Sequence, residues 1–142
     1  MSMILILAAA AAGQAFTCTP TGVAAGDGPI LCAEGPKVAL AGIAAPPVNE
    51  SCAQGQPCAD RSGVAARDRI VQALGGAKGR TRDGYVLVQA APMRCTWAES
   101  GKIGTLAACS VGRSDLGCMM VHEGYALPAA ERGGARRCSA VG

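Results

Sequence analysis

The segment KVALAGIAAPP, residues 37–47, decides the fold of this chain because it combines an apolar run with an abrupt stop. Residues 37–43 are apolar after the first position, which predicts a buried β-strand. Gly42 stands inside that run, and a glycine within a strand marks a bulge or a close backbone approach. The tripeptide Ala45-Pro46-Pro47 ends the strand, since proline cannot donate a hydrogen bond to a neighbouring strand.

The flanking sequence predicts a hairpin before this strand and a helix after it. Residues 17–31 indicate a strand, a turn and a strand, with Gly26-Asp27-Gly28-Pro29 as the turn. Residues 62–74 predict a helix that Ser62 caps and Gly75-Gly76 ends. Three arginines fall mainly off its apolar face and are expected to be solvated: Arg61, Arg67 and Arg69.

Two further strands and a second helix complete the pattern. One strand is predicted over residues 85–88 with a continuation over 93–97 after Pro92, and the other over 103–111. The helix starts at Ser114 or Asp115 and stops at Gly124. The order is therefore three strands, a helix, two strands and a helix. Short strands with a helix after the third favour a mainly β fold with about two helices, arranged as a small five-stranded barrel of the OB type.

Composition indicates one domain that needs covalent support. The chain has 142 residues, half of them apolar but only 3% aromatic, so its core holds few large side chains. Eight cysteines indicate a disulfide framework, although they allow on the order of a hundred connectivities. They are Cys18, Cys32, Cys52, Cys58, Cys95, Cys109, Cys118 and Cys138. A zinc site is not indicated, because the sequence holds no Cys-x-x-Cys pair and its single histidine, His122, has no cysteine at finger spacing.

The N-terminus has the features of a signal peptide. Residues 3–12 are continuously apolar but too short to span a bilayer comfortably, and Gly13-Gln14-Ala15 places small residues at the −3 and −1 positions. No lysine or arginine precedes the apolar run, so an uncleaved strand or a misassigned start stays open. We predict a signal peptide over 1–15, a single domain over 16–142, and export to a periplasm or the exterior. The net charge of +3 is too mild to indicate a particular partner.

The segment 38–47 resembles the motif V-R-L-A-G-I-D-A-P-E of the staphylococcal-nuclease-like (thermonuclease) family, an OB-fold family, at seven of ten positions. The turn Asp27-Gly28-Pro29-Ile30 resembles the family's D-G-D-T, and Gly63-Val64-Ala65-Ala66 is similar to its G-x-x-A helix start. Residues 105–109 and 115–126 fit its last strand and last helix. The resemblance covers about residues 18–127, and the cysteines are similar to those of the exported bacterial branch.

Active members of that family hydrolyse DNA and RNA with calcium, using carboxylates to hold the ion, two arginines to stabilise the transition state and a Glu to activate water. In this chain the second Asp and the Thr of D-G-D-T fall on Pro29 and Ile30. The Arg of V-R-L falls on Ala39. The Asp and Glu of I-D-A-P-E fall on Ala44 and Pro47, and the Arg of a Y-G-R motif falls on Gly104. The resemblance therefore implies a retained scaffold with no intact catalytic set.

Other polar residues could form a relocated site. Asp27, Asn49 and Glu50 could offer calcium ligands, although a lone Asp in a turn is usually a turn former. Lys102 and Arg113 could replace lost positive charge, but a solvated hairpin edge explains them as well. The pair His122-Glu123 could suggest a general base, yet no nucleophile or metal ligand stands near it in the sequence.

These features predict an exported, catalytically inactive domain that acts as a binding or structural module. Candidate partners are single-stranded nucleic acid, another anionic polymer, or a cell-envelope component. The alternative is a calcium-dependent nuclease or phosphodiesterase with a relocated site, and calcium is expected as a cofactor only in that case. Hairpin geometry together with the family likeness implies the pairs 18–32, 52–58, 95–109 and 118–138.

Overall fold

A computed structural model describes residues 13–48, 61–101, 104–133 and 138, without the side chains of residues 99–101 and 104–105. Over these residues the protein is mainly β with two helices, as the sequence predicts. The predicted pair Cys52 and Cys58, the candidate ligands Asn49 and Glu50, and Lys102 lie outside the described residues.

The described chain forms two helices, α1 (Gly63–Ala73) and α2 (Leu116–His122), and short strands. In chain order the strands are β1 (Ala15–Cys18), β2 (Pro20–Val23), β3 (Ile30–Cys32), β4 (Lys37–Leu40), β5 (Ile43–Ala44), β6 (Gly79–Arg80), β7 (Val86–Leu87), β8 (Met93–Gly101), β9 (Gly104–Val111), β10 (Ser114–Asp115) and β11 (Leu127–Pro128).

Most strands belong to one mixed sheet with the order β1-β8-β9-β4-β3-β2-β7-β6, in which β10 also pairs with β9. The β4–β9 pair is parallel, with Val38 opposite Thr105, and the other pairs are antiparallel. Only Thr19 separates β1 from β2, so one backbone run pairs with β8 at its start and with β3 and β7 at its end. Among the described strands no hydrogen-bonded ring closes this sheet, and a five-stranded barrel stays a prediction.

The predicted strand over 37–43 is divided into two. β4 ends at Leu40, and β5 starts at Ile43 in a separate two-stranded sheet with β11. Gly42 causes the break, because its φ of +77° suits glycine and turns the backbone away from the β4 ladder. The prediction of one strand is therefore wrong at its end, whereas the close backbone approach expected at Gly42 is confirmed by hydrogen bonds to residues 129 and 132.

The core is built from aliphatic side chains and cystine. Val38 and Leu40 of β4 are fully or almost fully buried, with Ile70 of α1 and Leu116 and Met120 of α2 in the same cluster. Two disulfides lie within this cluster, Cys18–Cys32 and Cys95–Cys109. Because the core holds few aromatic side chains, it lacks the large apolar area that such rings bury. These cross-links supply additional stabilisation.

The predicted helix caps are present. The Ser62 hydroxyl accepts a hydrogen bond from the Ala65 amide at 3.1 Å, and Asp115 accepts one from the Cys118 amide at 2.9 Å. The prediction that Arg67 is solvated is wrong: its side chain is buried, and its guanidinium holds the exposed carboxylate of Asp68 at 3.1 Å. The aliphatic stem lies in the interior while the charged end keeps a partner near the surface.

Three of the four predicted disulfides are confirmed: Cys18–Cys32, Cys95–Cys109 and Cys118–Cys138. The first two join neighbouring segments of the sheet, and the third ties α2 to the C-terminal end of the chain. Neither of the two described helices is long and apolar enough to cross a membrane.

Candidate functional site

The turn before β3 brings together two of the positions that the resemblance singles out, Pro29 and Ala39. The turn that carries Pro29 lies across β4, since a Cβ added at Gly28 would stand 2.6 Å from the Val38 carbonyl oxygen and 3.0 Å from the Ala39 Cα. The Leu40 amide donates to the carbonyl of Asp27 at 2.9 Å, which holds the turn in place. Ala39, on the strand beneath, is buried. The place where the resemblance expects charged groups is therefore packed with small apolar side chains and backbone.

Asp27 is the one carboxylate among the residues described at this place. Its Oδ2 accepts a hydrogen bond from the Ala45 amide at 3.0 Å and lies 3.5 Å from Nη1 of Arg132. Burial raises the pKa of Asp27, and the hydrogen bond from Ala45 and the charge of Arg132 oppose that rise. Asp27 therefore joins the turn to two other segments of the chain.

These residues do not fit a calcium ion. Calcium takes about six to eight oxygen ligands. Asp27 already shares one oxygen between an amide hydrogen and a guanidinium, and its neighbours Pro29, Ala44 and Pro47 have no side-chain oxygen. Within the described ranges, no group of three His, Cys, Asp or Glu side chains could hold a metal ion.

A C-terminal strap, which we define as residues 127–133, is a feature that no pattern in the sequence predicts. It begins as β11, with Leu127 opposite Ala44 of β5. Beyond β11, the Ala129 amide donates to the Gly42 carbonyl at 2.8 Å, and the Gly42 amide donates to the Arg132 carbonyl at 2.6 Å. The strap thus contacts residues 38–47, which we call the motif segment, through both the amide and the carbonyl of Gly42.

The end of the strap covers the outer face of β4. Ala39, Ala41 and Leu106 form a second buried cluster on that face, with Ala98 packed against it. Gly133 approaches so closely that an added Cβ would lie 2.9 Å from the Cβ of Ala98 and 3.3 Å from that of Ala41. The cluster that contains the position of a family arginine is therefore apolar and covered by the chain itself.

A basic hairpin lies at the edge of the sheet that is formed by β6. Lys78, Arg80 and Arg82 are exposed on the segment that leads through β6 to its turn. None of the three forms an ion pair with any described residue. Asp83, in the same turn, receives a very short hydrogen bond from the Thr81 hydroxyl. The hairpin therefore presents three positive charges at the sheet edge against the single negative charge of Asp83.

Tyr85 lies beside this hairpin, half-buried, and its amide donates to the Thr81 hydroxyl at 3.0 Å. The other three aromatic rings of the sequence are engaged. Phe16 and Trp97 stack on each other with centroids 3.7 Å apart, and Arg61 lies over the Tyr125 ring at 5.2 Å. Tyr85 is thus the one aromatic side chain with no ring or cation against it in the described chain, and it lies among the unpaired cations.

An open groove of about 430 Å³ lies on the outer face of β8 and β9. Its lining is mixed: Arg94, Thr96, Trp97, Ala98, Ala108, Ser110 and Asp115. Ala98 belongs both to this lining and to the cluster under the strap, so the groove and the strap are adjacent. The alternation of polar and apolar residues over 94–97 is the sequence signal that could have located this groove.

The other predicted site residues do not assemble into a catalytic group. Glu123 forms an ion pair with Arg69 at 3.1 Å, whereas His122 beside it is exposed at the end of α2. Arg113 is exposed in the turn between β9 and β10, away from Asp27 in the sheet order. Gly104, where the second family arginine falls, is the first residue of β9.

No protein-family model matches the chain, and no curated protein matches it either.

Proposed function

We propose that this protein is an exported, non-catalytic domain of the staphylococcal-nuclease-like type that binds an anionic polymer, with single-stranded nucleic acid as the favoured ligand. The statement that the domain is non-catalytic rests on the contacts of Asp27. Its carboxylate serves the Ala45 amide and Arg132, and the neighbouring family positions hold proline and alanine. Removing one electrostatic group of an active site commonly costs about 10²–10³ in rate, and here the whole set is replaced.

The strand pairing supports an OB-type scaffold for this proposal. Because Thr19 alone separates β1 from β2, the strands can be followed in a circuit from β2 through β3, β4, β9 and β8 to β1. A circuit of that kind is what a partly open five-stranded barrel requires. The confirmed disulfides support export, since such bonds persist in oxidising compartments.

The basic hairpin supports the binding half. Proteins that bind single strands combine a positively charged surface with aromatic rings on which bases stack. Lys78, Arg80 and Arg82 provide the charge, and the half-buried Tyr85, against which no described ring or cation lies, provides one stacking surface. A single ring and a net charge of +3 support weak binding that falls steeply with salt.

The catalytic half is tested by incubating the oxidised mature chain with single-stranded DNA, in millimolar calcium and in chelator. We expect no cleavage under either condition. Cleavage that requires calcium would overturn the proposal in favour of the calcium-dependent nuclease with a relocated site, and Asp27, Asn49 and Glu50 would be the first residues to vary.

The binding half is tested by fluorescence anisotropy of a labelled single-stranded oligonucleotide as salt is raised. Replacing Arg80 and Arg82 with Ser should weaken binding and lower the salt slope by roughly 0.7 for each lost phosphate contact. Tyr85→Leu should weaken nucleic-acid binding by about 1–3 kcal/mol. Arg113→Ser, a change of an exposed arginine elsewhere, is the matched control and should leave affinity almost unchanged.

A competing polysaccharide separates the two kinds of anionic polymer. Heparin has charge but no bases, so Tyr85→Leu should leave heparin binding unchanged while Arg80→Ser weakens it. Equal losses for heparin and the oligonucleotide in the Tyr85 variant would remove base stacking from the proposal. Affinity that no hairpin variant changes would locate the binding surface elsewhere and contradict the proposal.

A further inference from the structure

The three described disulfides differ in how far a reductant can reach them. Cys18, Cys32, Cys95 and Cys109 are buried in the core. Cys118 and Cys138 are each only half-buried. Thiol–disulfide exchange needs direct attack on a sulfur atom, so its rate depends on access. Among the described bonds, Cys118–Cys138 is the most exposed to an external thiol.

The same bond fixes the far end of the strap. Cys118 lies in α2, which is anchored in the core by Leu116 and Met120. Cys138 follows the strap by five residues. With the bond formed, the strap is held at both ends and contacts its docking surface as an intramolecular partner at high effective concentration. With the bond broken, only its β11 end is continuous with the core.

The docking contacts of the strap are few and incompletely satisfied. Beyond the short β11–β5 pairing, they consist of the paired hydrogen bonds between Gly42 and residues 129 and 132, the Asp27–Arg132 ion pair, and the packing of Ala129 and Gly133. The Nε atom of Arg132 is buried without a hydrogen-bond partner among the described residues. An unmade hydrogen bond of a buried donor costs stability. The docked position of the strap therefore depends on the Cys118–Cys138 bond more than it would if every buried polar group had a partner.

We propose that Cys118–Cys138 is a redox-controlled tether, and that its reduction releases the strap from the outer face of β4. The inference goes beyond the proposed function, since it concerns the conformation of the strap and requires no ligand. The reductant is a dithiol, either a small molecule or an oxidoreductase with two neighbouring cysteines.

One thiolate of the reductant attacks a sulfur of the Cys118–Cys138 bond, forms a mixed disulfide and expels the other cysteine as a thiolate. The second thiolate of the reductant then closes its own disulfide and expels the remaining cysteine. Two electrons and two protons pass from the dithiol to Cys118 and Cys138, and the reductant leaves oxidised.

Release changes the surface of the protein in a defined way. The small apolar cluster of Ala39, Ala41 and Leu106 loses its cover, and Asp27 loses the charge of Arg132. The adjacent groove along β8 gains an open side at Ala98. Oxidation of the two cysteines restores the covered state.

The test treats the full mature chain with graded concentrations of dithiothreitol and quenches samples over time, so that the order in which the bonds open is measured. Differential alkylation and peptide mass spectrometry identify which bond opens, and amide hydrogen exchange reports the strap. We expect Cys118–Cys138 to open before Cys18–Cys32 and Cys95–Cys109. When it opens, exchange of the Gly42 amide should rise about tenfold or more. The Ala41 amide, which donates to Ala107 within the sheet, is the internal control and should not change.

A double variant, Cys118→Ser with Cys138→Ser, should show the same exposure of the Gly42 amide without any reductant. Arg132→Gln, with the disulfide intact, should raise exchange at Gly42 less than the double variant does. Alkylation of Cys118 and Cys138 with the Gly42 amide still protected would overturn the proposal. Opening of a buried bond before Cys118–Cys138 would overturn it too, and the titration of the natural chain decides the matter even if the double variant fails to fold.

Discussion

Arg132 contacts Asp27 at the same carboxylate oxygen that accepts the Ala45 amide hydrogen, with Nη1 3.5 Å from that oxygen. One carboxylate thus joins the turn before β3, the segment after β5 and the C-terminal strap. The ion pair is partly exposed, so its direct contribution to stability is modest. The amide hydrogen bond matters more, because removing its acceptor leaves a backbone donor without a partner.

We therefore predict that Asp27→Ala lowers the free energy of unfolding by about 1–3 kcal/mol, the range for an unsatisfied buried donor. Asp27→Asn should cost less, since the amide oxygen can still accept from Ala45. Urea denaturation followed by circular dichroism measures both. Glu131→Ala is the matched control, because this exposed acid of the strap has no ion pair with a described residue. An Asp27→Ala protein as stable as the control would show that the carboxylate is not a structural link.

The raised pKa of Asp27 leads us to expect a contribution to stability that decreases as pH rises. Burial raises its pKa, so the folded chain takes up a proton at this site more readily than the unfolded chain does. Stability from this group is present at low pH and is lost as pH rises through the raised pKa. Urea denaturation across the acid range should show a smaller loss with rising pH in Asp27→Asn. An unchanged profile in that variant would contradict the prediction.

Glu34 should behave in the opposite sense. Its two carboxylate oxygens accept hydrogen bonds from the Thr19 amide and the Thr19 hydroxyl, both at 2.7 Å, and these bonds lower its pKa. The stability that they give is present above the ordinary pKa of a glutamate and is lost as pH falls through the lowered pKa. Glu34→Gln should therefore be less sensitive to acid than the natural chain, and Glu131→Gln is the control. If Glu34→Gln loses stability on acidification as the natural chain does, Thr19 is not a significant partner.

The local features of the fold follow from sequence because short segments determine them. Ser62 stands one residue before an apolar helical pattern, and a cap needs nothing further. Gly42 interrupts an apolar run at a position with a positive φ, which glycine adopts readily and other residues rarely do. The disulfides Cys18–Cys32 and Cys95–Cys109 follow from hairpin geometry. Cys95 and Cys109 are directly opposite on β8 and β9, and Cys18 lies two residues before Pro20, which is opposite Cys32.

The strap and the state of Asp27 could not be predicted, since both arise from contacts between distant parts of the chain. Residues 127–133 have no periodic pattern, and the pairing of Arg132 with Asp27 has no local signal. The burial of Arg67 was missed for a related reason. Helical periodicity assigns it to the polar face, whereas its neighbours in the fold bury its stem.

The signal peptide prediction has a structural consequence at β1. The Gly13 amide donates to the Trp97 carbonyl at 2.7 Å, and the Trp97 amide donates to the Gln14 carbonyl at 3.0 Å. Cleavage after Ala15 would remove both bonds and leave the pairs from Phe16 to Cys18. N-terminal sequencing of the exported protein should begin at Phe16, and Ala15→Gln should block processing whereas Thr17→Gln should not. A mature chain that begins before Ala15 and keeps the bonds to Trp97 would contradict this cleavage site.

The start of α1 provides a prediction about packing. Gly63 is buried against the end of the motif segment, and a Cβ added there would lie 2.0 Å from the Pro47 carbonyl oxygen and 2.7 Å from that of Pro46. Both neighbours are backbone atoms that cannot rotate away, so Gly63→Ala must displace the helix or the segment. Overpacking of this kind typically costs about 1–3 kcal/mol, against the small gain in helix propensity that alanine gives. Val64→Ala is the matched control, because Val64 is 42% exposed and its truncation removes little packing. Thermal and urea denaturation should show a clear loss for Gly63→Ala and almost none for Val64→Ala, and equal stability of the two variants would mean that α1 does not contact the Pro46-Pro47 backbone as described.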